Sequence, residues 1–78
     1  MIPEKLTDIL SSDPETLGGT VCFKDTRIPV RVLFDHVNHG VPLEEFLEGF
    51  PSVKREDALR VLEWEKETAL AALEKVPA

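Results

Sequence analysis

Apolar residues recur at helical spacing through most of the chain after Pro29. The first stripe consists of Val30, Leu33, Phe34 and Val37, and the second of Leu43, Phe46, Leu47 and Phe50. Spacings of i, i+3, i+4 and i+7 place such side chains on one face of an amphipathic helix. Proline in the first turn and glycine just past the last are common helix boundaries. The pattern therefore predicts a short helix from Pro29 that closes before Gly40, and a second over 42–50.

A longer third helix is predicted from about Lys54 to about Lys75, with Pro77 beyond it. Two neighbouring apolar stripes run along it: one is Ala58, Leu62, Ala69 and Leu73, and the other is Val61, Trp64, Thr68 and Ala72. Two stripes exceed what a single small core needs. Part of this helix is therefore expected to contact a partner.

Residues 21–28 have the composition of a β-hairpin. Val21–Phe23 and Thr26–Ile28 are rich in β-branched and aromatic residues, and they flank Lys24-Asp25 as the arms of a two-residue turn would. Asp tolerates the positive φ of such turns, whereas Lys is less suited to it. The residues before the hairpin contain Asp13-Pro14 and Gly18-Gly19, which favour loop structure, with a brief extended segment near Ile9–Ser11.

The predicted fold is mainly α, with an N-terminal β-hairpin followed by a three-helix, helix-turn-helix-like (homeodomain-like) bundle. We expect a single domain over 1–78, divided into a loop-rich arm (1–20), the hairpin (21–28) and three helices (29–76).

Composition and charge limit the cellular compartment and the kinds of partner that we expect. A chain of 78 residues with one cysteine, Cys22, has no intramolecular disulfide, which favours a reducing cytoplasm and support from a second copy. No signal peptide or apolar run of membrane-spanning length is present. The formal charge of −6 speaks against broad nucleic-acid binding and suits a basic protein partner. Lys24, Arg27 and Arg31 nevertheless form a local basic cluster.

Residues with metal-binding or catalytic potential are few. Asp35, His36, His39 and Cys22 lack the spacing of known metal motifs, so we expect no metal, no cofactor and no catalytic residue. The Gly18-Gly19 pair is interpreted as a turn. Arg27 leaves two alternatives open: a clamp on loop carbonyls or on a carboxylate such as Asp13 or Asp25, or a phosphate contact.

The order of several short motifs resembles a small bacterial family named "domain of unknown function 433". The matching residues are Asp13-Pro14, Gly18-Gly19, Thr26-Arg27-Ile28-Pro29-Val30, Gly40, Glu44-Glu45, Phe50-Pro51 and Glu56-Asp57. Three positions depart from the family pattern: Asp25 replaces a glycine, Lys54 a serine or threonine cap, and Phe50 a tyrosine.

The resemblance implies a helix-turn-helix-like fold and an antitoxin-like role in a type II toxin–antitoxin pair. The partner that it implies is a PIN-like toxin, a candidate ribonuclease encoded by the neighbouring gene. A homodimer that contacts its promoter DNA is expected. The DNA-contacting candidates are Lys24, Arg27, Arg31, Lys54, Arg55 and Arg60. The alternative is an interaction module that caps a partner without touching DNA. The candidates for the partner interface are Leu59, Leu62, Trp64 and Leu73.

Overall fold

The computed structural model describes residues 2–12 and 19–75 and contains a two-stranded antiparallel sheet and three α-helices. After a 3₁₀ turn at Glu4–Leu6 come β1 (Leu10–Ser12), β2 (Val21–Phe23), α1 (Val30–Asn38), α2 (Leu43–Gly49) and α3 (Arg55–Glu74). The predicted fold class is confirmed. Asp13-Pro14 and Gly18, where a loop is predicted, and Pro77, predicted to follow the third helix, lie outside the described residues.

The sheet pairs different segments from those that the sequence predicts. β2 pairs with β1, with Leu10 opposite Phe23 and Ser12 opposite Val21. The turn at Lys24-Asp25 does form: the Thr26 N–H donates to the Phe23 carbonyl at 3.1 Å, and Asp25 has a φ of 63°. Residues 26–28, however, form no strand. The Phe23 N–H donates to the Ile28 carbonyl at 3.0 Å, and an isolated bridge joins Cys22 to Pro29.

The side chain of Thr26 explains why its segment does not extend into a strand. Its hydroxyl donates to the Phe23 carbonyl at 2.7 Å and accepts from the Ile28 N–H at 3.1 Å. Local bonds of this kind compete with a sheet ladder. Pro29 then offers no N–H and leads directly into α1. β1 gains instead from burying Leu10, which is 6% exposed.

Proline and glycine set the helix ends as predicted. Pro29 and Pro42 take the N-cap positions of α1 and α2 with extended backbone. Beyond α1, Gly40 has a φ of 77°, and the Val41 N–H returns to the His36 carbonyl at 2.9 Å. This left-handed residue and its bond satisfy a carbonyl at the helix end.

The core lies between the sheet, the N-terminal segment, α1, α2 and the first half of α3. Its largest fully buried side chains are Phe23, Leu33, Phe46 and Val61. Leu6 and Ile9 from the N-terminal segment are buried with them, so this part of the predicted arm is a core component. None of the described helices is both long and apolar enough to cross a membrane.

Candidate interaction surfaces around the third helix

α3 is only partly supported by the rest of the molecule. Its Ala58 and Val61 are buried in the core, whereas every residue from 65 to 75 is exposed. A helix of twenty residues is roughly 30 Å long, and the molecule measures 41 Å along its longest axis. The second half of α3, residues 65–75, therefore projects from the domain; we call it the projecting half.

Leucines form an exposed stripe on the outer side of α3. Leu59, Leu70 and Leu73 are 45%, 48% and 67% exposed, and Leu62 is half-buried. At about 100° per residue, these four side chains fall within an arc of about 80°. Leu59, Leu62 and Leu73 of the predicted partner interface thus share one side, which we call the leucine stripe together with Leu70.

Trp64, the fourth residue of the predicted partner interface, belongs to a different surface. It lies about 120–180° around α3 from the leucines. It is half-buried and lines a groove of 260 Å³ between α3, α1 and the N-terminal segment. The groove is almost entirely apolar, with Ile2, Phe34 and Val61 among its walls and Arg31 as its one charged residue among those described.

The side chain of Arg60, a predicted DNA contact, bonds to residues of the N-terminal segment. Its guanidinium donates to both carboxylate oxygens of Asp8, at 2.8 and 2.9 Å, and to the Lys5 carbonyl at 2.6 Å. This bidentate geometry suits arginine in particular. The hydrogen bond lowers the pKa of Asp8 below its usual value and raises that of Arg60.

A second ion pair joins the same two segments. Lys5 Nζ lies 2.8 Å from Glu67 Oε2, and this bond lowers the pKa of Glu67. Together with Arg60 it fastens the N-terminal segment along α3. The sequence gives no signal for Lys5 or Asp8, because each is an ordinary polar residue in a segment without periodicity.

Arg55 is also paired. It forms a salt bridge with Glu44, which connects the first turn of α3 to the first turn of α2. Both side chains are largely exposed, so this pair adds little to stability. It does place a carboxylate beside one of the predicted DNA contacts.

The other four predicted DNA contacts are distributed over the surface. Lys24 and Lys54 line one shallow polar depression, whose walls also include Asp8, Asp25 and Asp57. Arg31 is at the apolar groove, and Arg27 is exposed near the turn after β2. Within residues 2–12 and 19–75, Arg27 has no ion pair, so it does not clamp its suggested partner Asp25. The other suggested partner, Asp13, lies outside these residues. The structure therefore does not gather the six cations on one face.

The histidines and the cysteine bond to backbone groups. Nδ1 of His36 lies 2.7 Å from the Val32 carbonyl, and Nδ1 of His39 lies 2.6 Å from the Asp35 carbonyl. The His36 ring also packs edge-on against Phe46. The buried Cys22 thiol is 3.7 Å from the Thr20 carbonyl. Across the described residues, no three His, Cys, Asp or Glu side chains come together as a metal site.

Comparison with known proteins places the chain in a family. The chain folds as a helix-turn-helix-like core with a projecting helix. Residues 10–64 match the family described as "Protein of unknown function (DUF433)". The match covers more than half of the chain, which therefore belongs to this family. It ends at Trp64, so the projecting half of α3 lies beyond the matched part.

A solved structure has the same fold. The crystal structure of a DUF433 member from Anabaena variabilis aligns with a TM-score of 0.67 and 25% identity. The alignment covers 90% of this chain and 80% of that one. The search of curated proteins gave no match.

Proposed function

We propose that this protein is the antitoxin-like member of a two-protein pair, which neutralises a PIN-like toxin by direct contact. The observation that carries the proposal is the projecting half of α3, which is exposed along its whole length. Isolated helices of this length are marginal in water. A partner that covers this segment would supply the packing that the domain itself does not.

Charge supports a protein partner over a polyanion. The chain carries a formal charge of −6, and Glu56 and Asp57 occupy the first turn of α3. In a helix-turn-helix protein the first turn of this helix meets base edges. Carboxylates in this first turn repel the phosphates of DNA, whereas they attract a basic protein.

The direct test is copurification of the full chain with the product of the neighbouring gene. A stable complex at physiological salt that suppresses the partner's ribonuclease activity is the expected result. Trp64→Ala, which removes one of the two aromatic side chains among the groove's described residues, is compared with Leu73→Ala on the leucine stripe. Absence of any complex with the unmodified chain contradicts the proposal.

DNA binding is the second candidate function, as part of a regulator that binds its own promoter. It is favoured by the order of α2 and α3, and by Lys24 and Lys54 on one surface beside them. A homodimer belongs to this proposal, because helix-turn-helix proteins read paired half-sites.

A gel-shift experiment on promoter DNA at low salt tests this second candidate, with and without the partner. Lys24→Ala and Lys54→Ala are each expected to weaken binding several-fold through loss of a phosphate contact. In the assay without the partner, Lys66→Ala, which removes the same charge from the other part of α3, is the matched control. No shift with the unmodified chain, or equal effects of all three variants, contradicts specific use of this surface.

A further inference from the structure

The outer side of α3 carries two parallel features. The leucine stripe (Leu59, Leu62, Leu70 and Leu73) is the first. The second is a column of four exposed glutamates, spaced seven, four and seven residues apart: Glu56, Glu63, Glu67 and Glu74. At 3.6 residues per turn these carboxylates fall within about 40° of one another and directly beside the leucines. We call them the acidic column.

Most of the acidic column is not neutralised by the domain itself. Glu67 bonds to Lys5, whereas Glu56, Glu63 and Glu74 take part in no salt bridge among the described residues. Lys66 is the one cation within the leucine stripe, near its middle. The outer side of α3 is therefore apolar along one line and negative along the next.

We propose that this surface docks a basic amphipathic helix of the partner protein, with apolar side chains on the leucine stripe and lysines or arginines on the acidic column. The inference rests on the proposed function and specifies where and how its partner binds. An amphipathic helix packs on such a face through residues at i, i+3, i+4 and i+7. The opposing charges set its orientation.

A second copy of the chain fits this surface poorly. The leucines are arranged symmetrically about Lys66, since Leu59 and Leu73 lie seven residues away on either side and Leu62 and Leu70 four. An antiparallel pair in that register brings Lys66 against its own copy. It also brings each acidic column against the other, and like charges in contact oppose association. A nucleic acid is disfavoured by the same glutamates.

The test measures the affinity of the full-length chain for the purified product of the neighbouring gene by isothermal titration calorimetry. Leu70→Ala and Leu73→Ala are each expected to weaken binding by about tenfold, the effect of truncating an interface anchor. Glu63→Lys with Glu74→Lys is expected to weaken it by at least about tenfold and to reduce its salt dependence.

Two matched controls separate the surface from general effects. Val37→Ala truncates an apolar side chain on α1 that is 41% exposed, and Glu48→Lys reverses an exposed charge on α2. Both are expected to leave the affinity within about twofold, as is usual for sites outside an interface. Circular dichroism verifies that each variant is folded.

Distinct outcomes identify which proposal fails. If the unmodified chain does not bind, both the proposed function and this inference are overturned. If it binds and the stripe and column variants bind equally well, only the inference is overturned. A chain that is dimeric alone, and that Leu70→Ala converts to a monomer, also overturns it, because a second copy then covers the stripe.

Discussion

At the scale of single residues, Arg60 shows that residue type alone does not determine which group a side chain binds. Arg60 has the residue type and helix position of a DNA contact, yet its guanidinium holds Asp8 and the Lys5 carbonyl. Both partners are more than fifty residues away in sequence. Nothing near Arg60 in the sequence indicates them, so this role emerges only once the N-terminal segment folds along α3.

The Asp8–Arg60 pair predicts a specific pH dependence of stability. Because the pKa of Asp8 is lowered in the folded state, its contribution is present above the ordinary carboxyl pKa and lost as pH falls through the lowered value. Asp8→Asn should lower the thermal midpoint at pH 7 and flatten its decline between about pH 5 and pH 2. Glu48→Gln, which removes an exposed carboxylate of α2, should retain the wild-type profile; identical profiles for all three proteins would contradict the role of the pair.

Asp25 predicts a second effect at the residue scale. It adopts a φ of 63°, in a region that costs an ordinary L-residue roughly 1 kcal/mol and glycine almost nothing. Asp25→Ala should therefore destabilise the domain by about 1 kcal/mol, and Asp25→Gly should be neutral or slightly stabilising. Urea denaturation measures both. Greater stability of the alanine variant than of the glycine variant would contradict a left-handed backbone at residue 25.

At the scale of elements, the helices were predictable and the sheet was only partly so. Prolines at 29, 42 and 51 and glycine at 40 mark helix boundaries through local backbone chemistry, which acts wherever those residues occur. The sequence predicts a brief extended segment near Ile9–Ser11, but β1 has only three residues and no alternation long enough to indicate that it pairs with β2. It forms because Leu10 and Phe23 are buried together, which is a tertiary effect.

The asymmetry of α3 predicts uneven stability along one helix. Ala58, Val61, Leu62 and Trp64 pack in or against the core. Residues 65–75 are all exposed, and the link from them to the rest of the described structure is the ion pair of Glu67 with Lys5. In the free chain, amide hydrogen exchange should be slow around Ala58 and Val61 and approach unprotected rates beyond Glu67. Exchange that is equally slow to Glu74 would mean that the projecting half is already covered, for example by a second copy.

At the scale of the whole molecule, the unit that packs around the core is distinct from the projecting half of α3. The N-terminal segment, the sheet, α1, α2 and the first half of α3 pack around one core, and the family match covers residues 10 to 64 of this unit. The leucine stripe and acidic column extend beyond that unit into the projecting half. The sequence indicated surplus apolar surface on this helix, including Leu59, Leu62 and Leu73. It placed Trp64 on the neighbouring stripe but grouped it with the leucines in one interface. Only the packing of α1 and the N-terminal segment around Trp64 shows that this residue belongs to the groove.

The central claim, that the outer side of α3 is where a protein partner binds, is tested most directly by hydrogen exchange of the complex. Exchange is compared between the free chain and its complex with the product of the neighbouring gene. We expect strong new protection over residues 65–75, with little change in α2. Protection confined to α2 and the first turn of α3, with the projecting half still exchanging freely, would contradict it.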